Sequence, residues 1–222
     1  MIEEEAEKMN VSKNWIPVIC LIVSLVFSAI ALITPWWSIR TSKTLQITGN
    51  TTKTADYMPF QTVTATDTGM NISTVVSFKE LDANETDIDS LASLFNTAII
   101  ITTVGIALTI LALALTVLSI VRKPFFSYLW VIATIGGVVL LMAPLFLATQ
   151  AQPILTKFNN VMPLNISVVP GSAIAGFWGN NQSWTWGAGF GWFILLTASL
   201  ICLVAAVLTQ TLLKKQTNKP EW

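Results

Sequence analysis

Residues 95–121, FNTAIIITTVGIALTILALALTVLSIV, and residues 128–148, YLWVIATIGGVVLLMAPLFLA, are separated only by RKPFFS at 122–127. Neither apolar stretch contains Asp, Glu, Lys or Arg. A helix that crosses a bilayer needs about 20 apolar residues in a row, and both stretches reach that length. In lipid the backbone must satisfy its own hydrogen bonds. Uninterrupted apolar runs therefore predict helices, whereas a barrel would show short alternating segments. Two further runs qualify, at 15–34 and 187–213, again without Asp, Glu, Lys or Arg.

Composition agrees. Only 11% of the 222 residues are charged, against about a quarter in a soluble domain, and mean hydropathy is +0.66. Twelve Lys+Arg balance twelve Asp+Glu, so no basic tract offers a surface to nucleic acid. The chain has no His. That removes imidazole metal sites, His-ligated haem, Ser-His-Asp and Cys-His catalysis, and His-based pH switches. Two Cys do not make a zinc or iron–sulfur site by themselves. No catalytic, cofactor-binding or metal-ligating residue is assigned.

Basic residues set the orientation. Lys8 and Lys13 precede the first span, Arg122 and Lys123 sit in the tight turn, and Lys214, Lys215 and Lys219 follow the last span. The positive-inside rule then predicts a cytoplasmic N-terminus at 1–14, a cytoplasmic turn at 122–127 and a cytoplasmic tail at 214–222. The long connections 35–94 and 149–186 fall outside. Ala29-Ile30-Ala31 has the small residues of a signal-peptide cleavage site, but the acidic start, Glu3 to Glu5 and Glu7, reads as an uncleaved helix. Trp36, Trp37, Trp178, Trp184, Trp186 and Trp192 gather near the outer boundary, as an interfacial aromatic belt does. Asn50, Asn71, Asn84, Asn165 and Asn181 each open an N-x-S/T sequon in the outer connections, making them candidate glycan carriers. A sixth sequon, at Asn10, lies on the cytoplasmic side.

The outer connections carry strand signals. Residues 71–79 alternate, with Ile72, Thr74, Val76 and Phe78 predicted on one face. Residues 44–48, 59–66 and 164–169 are further strand candidates. Phe177 to Trp186 reads as an aromatic hairpin with its turn at 179–183. Thr86-Asp87-Ile88-Asp89 has the pattern of a capping box, predicting a helix that runs on into the second span. The expected fold is an all-α transmembrane four-helix bundle with a small antiparallel β-sheet formed by the two extracellular loops.

This order of elements resembles the claudin and peripheral-myelin-protein superfamily, in which a four-helix bundle carries an extracellular sheet drawn mainly from the first loop. Pro35-Trp36-Trp37 falls where those proteins often place an aromatic after the first helix. Their loop cysteines have no counterpart here. Pro35-Trp36-Trp37, Phe177-Trp178-Gly179 and Trp184-Thr-Trp186-Gly187-Ala-Gly189-Phe-Gly191-Trp192 together look more like a group of prokaryotic, often archaeal, four-span membrane proteins. That resemblance implies a fold and no activity.

Small residues recur inside the spans. Cys20, Ser24 and Ser28 share one face of the first; Ala198, Cys202 and Ala206 share one face of the fourth; Ala133 and Gly137 form a small-xxx-small pair on the third. With Gly187 and Gly191, they are read as helix-packing positions. The acidic run Glu80, Asp82, Glu85, Asp87 and Asp89 lacks EF-hand spacing and is read as a solvated face. Pumps and transporters usually keep an ionisable group in the membrane; these spans keep none. The reading is of a non-enzymatic plasma-membrane protein whose partners are the bilayer and other membrane proteins or a second copy. It acts as an accessory subunit of a larger complex or as a cell-surface contact. An oligomeric channel or transporter component is the alternative. The aromatic residues Trp36, Trp37, Trp178, Trp184 and Trp186 are expected to form one interfacial cluster.

Overall fold

The structure, a computed structural model, describes residues 15–41, 52–81, 83–121, 129–161, 170–181 and 183–217. Within them the chain is mostly helical with a small antiparallel sheet. The elements are α1 (Ile16–Leu32), β1 (Trp37–Thr41), β2 (Lys53–Met58), β3 (Thr62–Asp67), β4 (Ile72–Ser77), α2 (Glu85–Val121), α3 (Leu129–Leu155), β5 (Gly179–Asn180), β6 (Trp184–Ala188) and α4 (Phe190–Thr217). Helices α2, α3 and α4 are long and apolar enough to cross a membrane. The first helix is apolar but has 17 residues, fewer than the twenty of 15–34. Its end has a local cause. The Thr34 hydroxyl donates to the Ile30 carbonyl and the Trp36 indole to the Ala31 carbonyl, so side chains take the last carbonyls, and Pro35 cannot continue the helix.

The chain divides into two compact units, one of residues 1–29, 101–142 and 195–222, the other of 30–100 and 143–194. The first is helical; its interior is rich in small residues and its exterior in large apolar ones. Leu21, Ala112, Ala133, Cys202, Ala205 and Ala206 form its core. Ile19, Val26, Val104, Ile110, Ile135, Val138, Leu200 and Val207 are exposed. This inversion suits lipid, where large apolar groups need not be hidden and small ones let helices approach. A Cβ on Gly105 would lie 2.7 Å from the Leu140 side chain, and one on Gly137 2.9 Å from that of Leu203. The Ser24 hydroxyl donates to the Ala198 carbonyl at 2.8 Å, tying α1 to α4, while Ser28 donates back to Ser24 of its own helix. Both serines are buried. Cys20 packs against the core; Cys202 donates to the Ala133 carbonyl at 3.4 Å. Both cysteines are free.

The second unit holds a six-stranded sheet in the order β4-β3-β2-β1-β6-β5, antiparallel throughout. Strands from the two connections thus share one sheet, joined where β1 pairs with β6. Register sorts the faces, because directly opposed residues point the same way. Trp37, Tyr57, Val63 and Val76 lie in one row, and all four are buried. Gly187, Ser38, Asp56, Thr64 and Val75 form a row on the other face.

Several sequence expectations shift. Residues 59–66 straddle a turn: β2 ends at Met58, β3 begins at Thr62, and Gln61 adopts φ 60°, as three-residue hairpin loops require. The alternation at 71–79 gives strand β4, but its predicted inner face is covered only at the end: Val76 and Phe78 are buried while Ile72 and Thr74 are exposed at the sheet edge. Residues 44–48 and 164–169 lie outside the described residues. The helix start moves forward. Asn84, not Thr86, caps α2, its Oδ1 accepting the Asp87 amide at 3.0 Å.

Candidate functional site

The buried face of the sheet closes on a ladder of rings. Trp37 meets Tyr57 edge-on at 5.0 Å, Tyr57 lies 5.9 Å from Phe78, Phe78 meets Phe95 at 5.2 Å, and Phe95 stacks on Trp36 at 6.3 Å. Tyr57 is wholly buried, and its hydroxyl donates to the Val161 carbonyl. A second group gathers Phe177, Trp178, Trp192 and Phe193. The Trp37 indole joins the two groups by donating to the Phe177 carbonyl at 3.0 Å, and that of Trp192 donates to the Pro144 carbonyl. The single cluster expected of Trp36, Trp37, Trp178, Trp184 and Trp186 is therefore divided: Trp36 and Trp37 lie in the first group and Trp178 in the second. Each buried indole N–H needs an acceptor, and the acceptors lie in different places. Trp186 turns to the Gly176 carbonyl, and Trp184 is only half-buried.

The three glycines of 187–191 explain how the aromatic segments fit together. A Cβ on Gly187 would lie 2.4 Å from the Trp178 indole, and one on Gly179 2.4 Å from that of Trp186. Each tryptophan thus covers a glycine across or beside the β5–β6 hairpin. At Gly189 a Cβ would come within 2.3 Å of the Pro35 carbonyl oxygen. The Gly189 amide donates to Trp36 and the Gly191 amide to Pro35. The Pro35-Trp36-Trp37 and Gly187–Trp192 segments are one backbone clasp. Gly187 belongs to strand β6 and not to a helix–helix contact, contrary to the sequence reading. Gly191 sits in the first turn of α4 against Thr34 and Trp36.

On the other face, Ser38, Arg40 and Asp56 line a cleft of ≈ 440 Å³ together with Trp178, Phe190 and Phe193. Asp56 Oδ1 is buried without a hydrogen-bond partner among the described residues. Burial pushes the Asp56 carboxyl above its usual range, and the Arg40 charge only partly opposes this. Sequence reading missed both residues. Asp67 differs. Burial pushes its carboxyl up too, but the Gly69 and Met70 amides and Lys53 more than reverse this and hold it below the usual range. The amides donate to Oδ1, and Lys53 Nζ lies 3.3 Å from Oδ2.

The sequons are placed as follows. Asn71 is exposed in the β3–β4 turn with φ 53°. Asn84 is the exposed cap of α2. Exposed Asn181 accepts the Ser183 and Trp184 amides in the β5–β6 turn. Asn50 and Asn165 lie outside the described residues. Of the acidic run, Glu80, Glu85 and Asp89 are exposed, Asp82 lies outside the described residues, and Asp87 is buried and pairs with Lys157 at 3.7 Å. Among the described residues no three His, Cys, Asp or Glu converge.

Edge strand β4 is the other feature of note. Residues 71–75 are all exposed, as are the apolar side chains of Phe60, Met70, Ile72 and Val75. No protein-family model matches the chain, and no curated protein matches it.

Proposed function

We propose that this is a plasma-membrane protein of claudin-like, four-span topology that acts by binding another membrane protein or a second copy of itself. It does so as an accessory subunit or as a surface contact. Helix α1 is the fourth span, since 17 residues lie at the lower limit for crossing. Both termini are cytoplasmic, and the sheet stands outside, where Asn71, Asn84 and Asn181 are open to glycans.

The observation that carries this reading is β4. A sheet edge has unpaired backbone groups that invite another strand, and natural proteins blunt such edges with charge, proline or a cover. Residues 71–77 contain none of the charged or proline blunting groups and expose Ile72 and Val75. Exposed apolar edges of this kind are recognition surfaces for an added strand. The buried hydroxyls of Thr109, Thr116 and Thr209 each donate to a carbonyl of their own helix, which favours packing over a water-lined path.

A photo-crosslinking residue at Val75 tests this in intact membranes, with Ser172, exposed on another segment, as the comparison. One adduct of defined mass is expected from Val75, at twice the chain mass if the partner is a second copy. No adduct, or the same adducts from Ser172, would remove the proposal.

A further inference from the structure

The cleft on the open face of the sheet differs in chemistry from one end to the other. At one end stand a cation, Arg40, and an anion, Asp56, whose cross-strand partner is Ser38. At the other stand Trp178, Phe190 and Phe193, all exposed. Gly187 and Gly189 also border it, so no side chain from those positions fills it. Its ≈ 440 Å³ is within the usual range of small-molecule sites.

The two charges specify what fits. The Arg40 guanidinium is exposed, with no ion pair among the described residues, and a planar guanidinium matches a phosphate. Asp56 is half-buried and lacks a donor at Oδ1, a state that costs free energy until a donor arrives. Asp56 itself borders the cleft. The ligand therefore carries an anion and an N–H donor a short distance apart. A quaternary ammonium has no N–H to give. Phe190 and Phe193 open α4 and are exposed, as a surface for acyl chains is.

We infer that this cleft binds a phosphoethanolamine lipid headgroup, its phosphate on Arg40, its primary ammonium on Asp56 and its chains along Phe190 and Phe193. This rests on the membrane character of the helices and not on the β4 edge. The Val75 crosslink and the experiment below therefore fail independently.

The test is native mass spectrometry of the full chain in detergent, titrated with phosphatidylethanolamine, phosphatidylcholine and phosphatidylglycerol. A charge-assisted hydrogen bond to Asp56 makes phosphatidylethanolamine bind about tenfold or more tightly than phosphatidylcholine. Asp56→Asn should abolish that preference without lowering the thermal midpoint, which separates recognition from folding. Arg40→Gln should weaken both lipids alike, because both carry the phosphate. Free phosphoethanolamine should displace the lipid only at far higher concentration, and Phe190→Ala should narrow that gap. Equal binding of the two lipids by the wild type, or a preference that survives Asp56→Asn, overturns the site. Free phosphoethanolamine binding as tightly as the lipid overturns the lipid as its source and leaves a soluble phospho-amine.

Discussion

The amide of Gly189 donates to the carbonyl of Trp36 at 3.0 Å, and a methyl group at Gly189 has no room, because the Pro35 oxygen lies 2.3 Å from where its carbon would be. Backbone cannot step aside as a flexible side chain can. Gly189→Ala should therefore destabilise the protein by about 1–3 kcal/mol, as overpacking does, and thermal melts in detergent will read it. Gly137→Ala, whose new carbon would first meet the flexible Leu203 side chain at 2.9 Å and an amide at 3.2 Å, should cost less. Equal effects would deny the clasp.

Trp36 is fully buried, stacked on Phe95 and bonded to Ala31, whereas Trp184 is half-buried. Trp36→Ala should cost about 3–5 kcal/mol and Trp184→Ala clearly less. A loss of partner binding without loss of stability in Trp184→Ala would mark that ring as a contact residue.

Asp67 and Asp56 share one sheet and should respond to acid with opposite signs. The Asp67 carboxyl is held below its usual range. Its stabilising contribution is present above the unfolded pKa of about 3.9 and is lost as pH falls through the folded value. Asp67→Asn should lower the melting temperature at pH 7, and the difference should shrink in acid. The Asp56 carboxyl is raised, so the folded state holds its proton more tightly and the charged form destabilises. Asp56→Asn should be neutral or stabilising at pH 7 and lose that advantage as pH falls. Melting curves from pH 3 to 8 check both; parallel curves for the two variants would contradict the assignment.

Membrane orientation has its own test. In a background of Cys20→Ser and Cys202→Ser, a cysteine at Asn71 should react with an impermeant thiol reagent on intact cells and one at Lys215 should not. The reverse pattern would overturn the proposed sidedness.

Much of the helical part is legible in the sequence because lipid leaves the backbone few choices, and runs such as 95–121 have no second reading. Their ends are less legible. Helix α3 continues to Leu155 through Pro144 and Pro153, beyond 148, and the start of the last apolar run became β6. The sheet was seen only in fragments. Strands β1 and β2 escaped notice because Trp37–Thr41 reads as belt and Lys53–Met58 alternates with small residues, Ala55 among them. Gln61 takes a left-handed turn conformation without the glycine that would announce it. The cleft was invisible for a deeper reason: Arg40 and Asp56 come to one face of the sheet only through the β1–β2 register, which no local pattern states.

The joining of the two connections into one sheet at β1–β6 is the claim on which the clasp and the cleft both depend, and a disulfide scan tests it most directly. Arg40 pairs with Thr185 across that junction, and the Thr185 hydroxyl reaches the Arg40 carbonyl. In the cysteine-free background, Arg40→Cys with Thr185→Cys should oxidise to one intramolecular disulfide, read as a loss of two hydrogens by mass spectrometry. Arg40→Cys with Trp186→Cys, displaced by one residue to the opposite face, should remain reduced. Ready oxidation of the displaced pair, with the Thr185 pair staying reduced, would contradict the register and the fold built upon it.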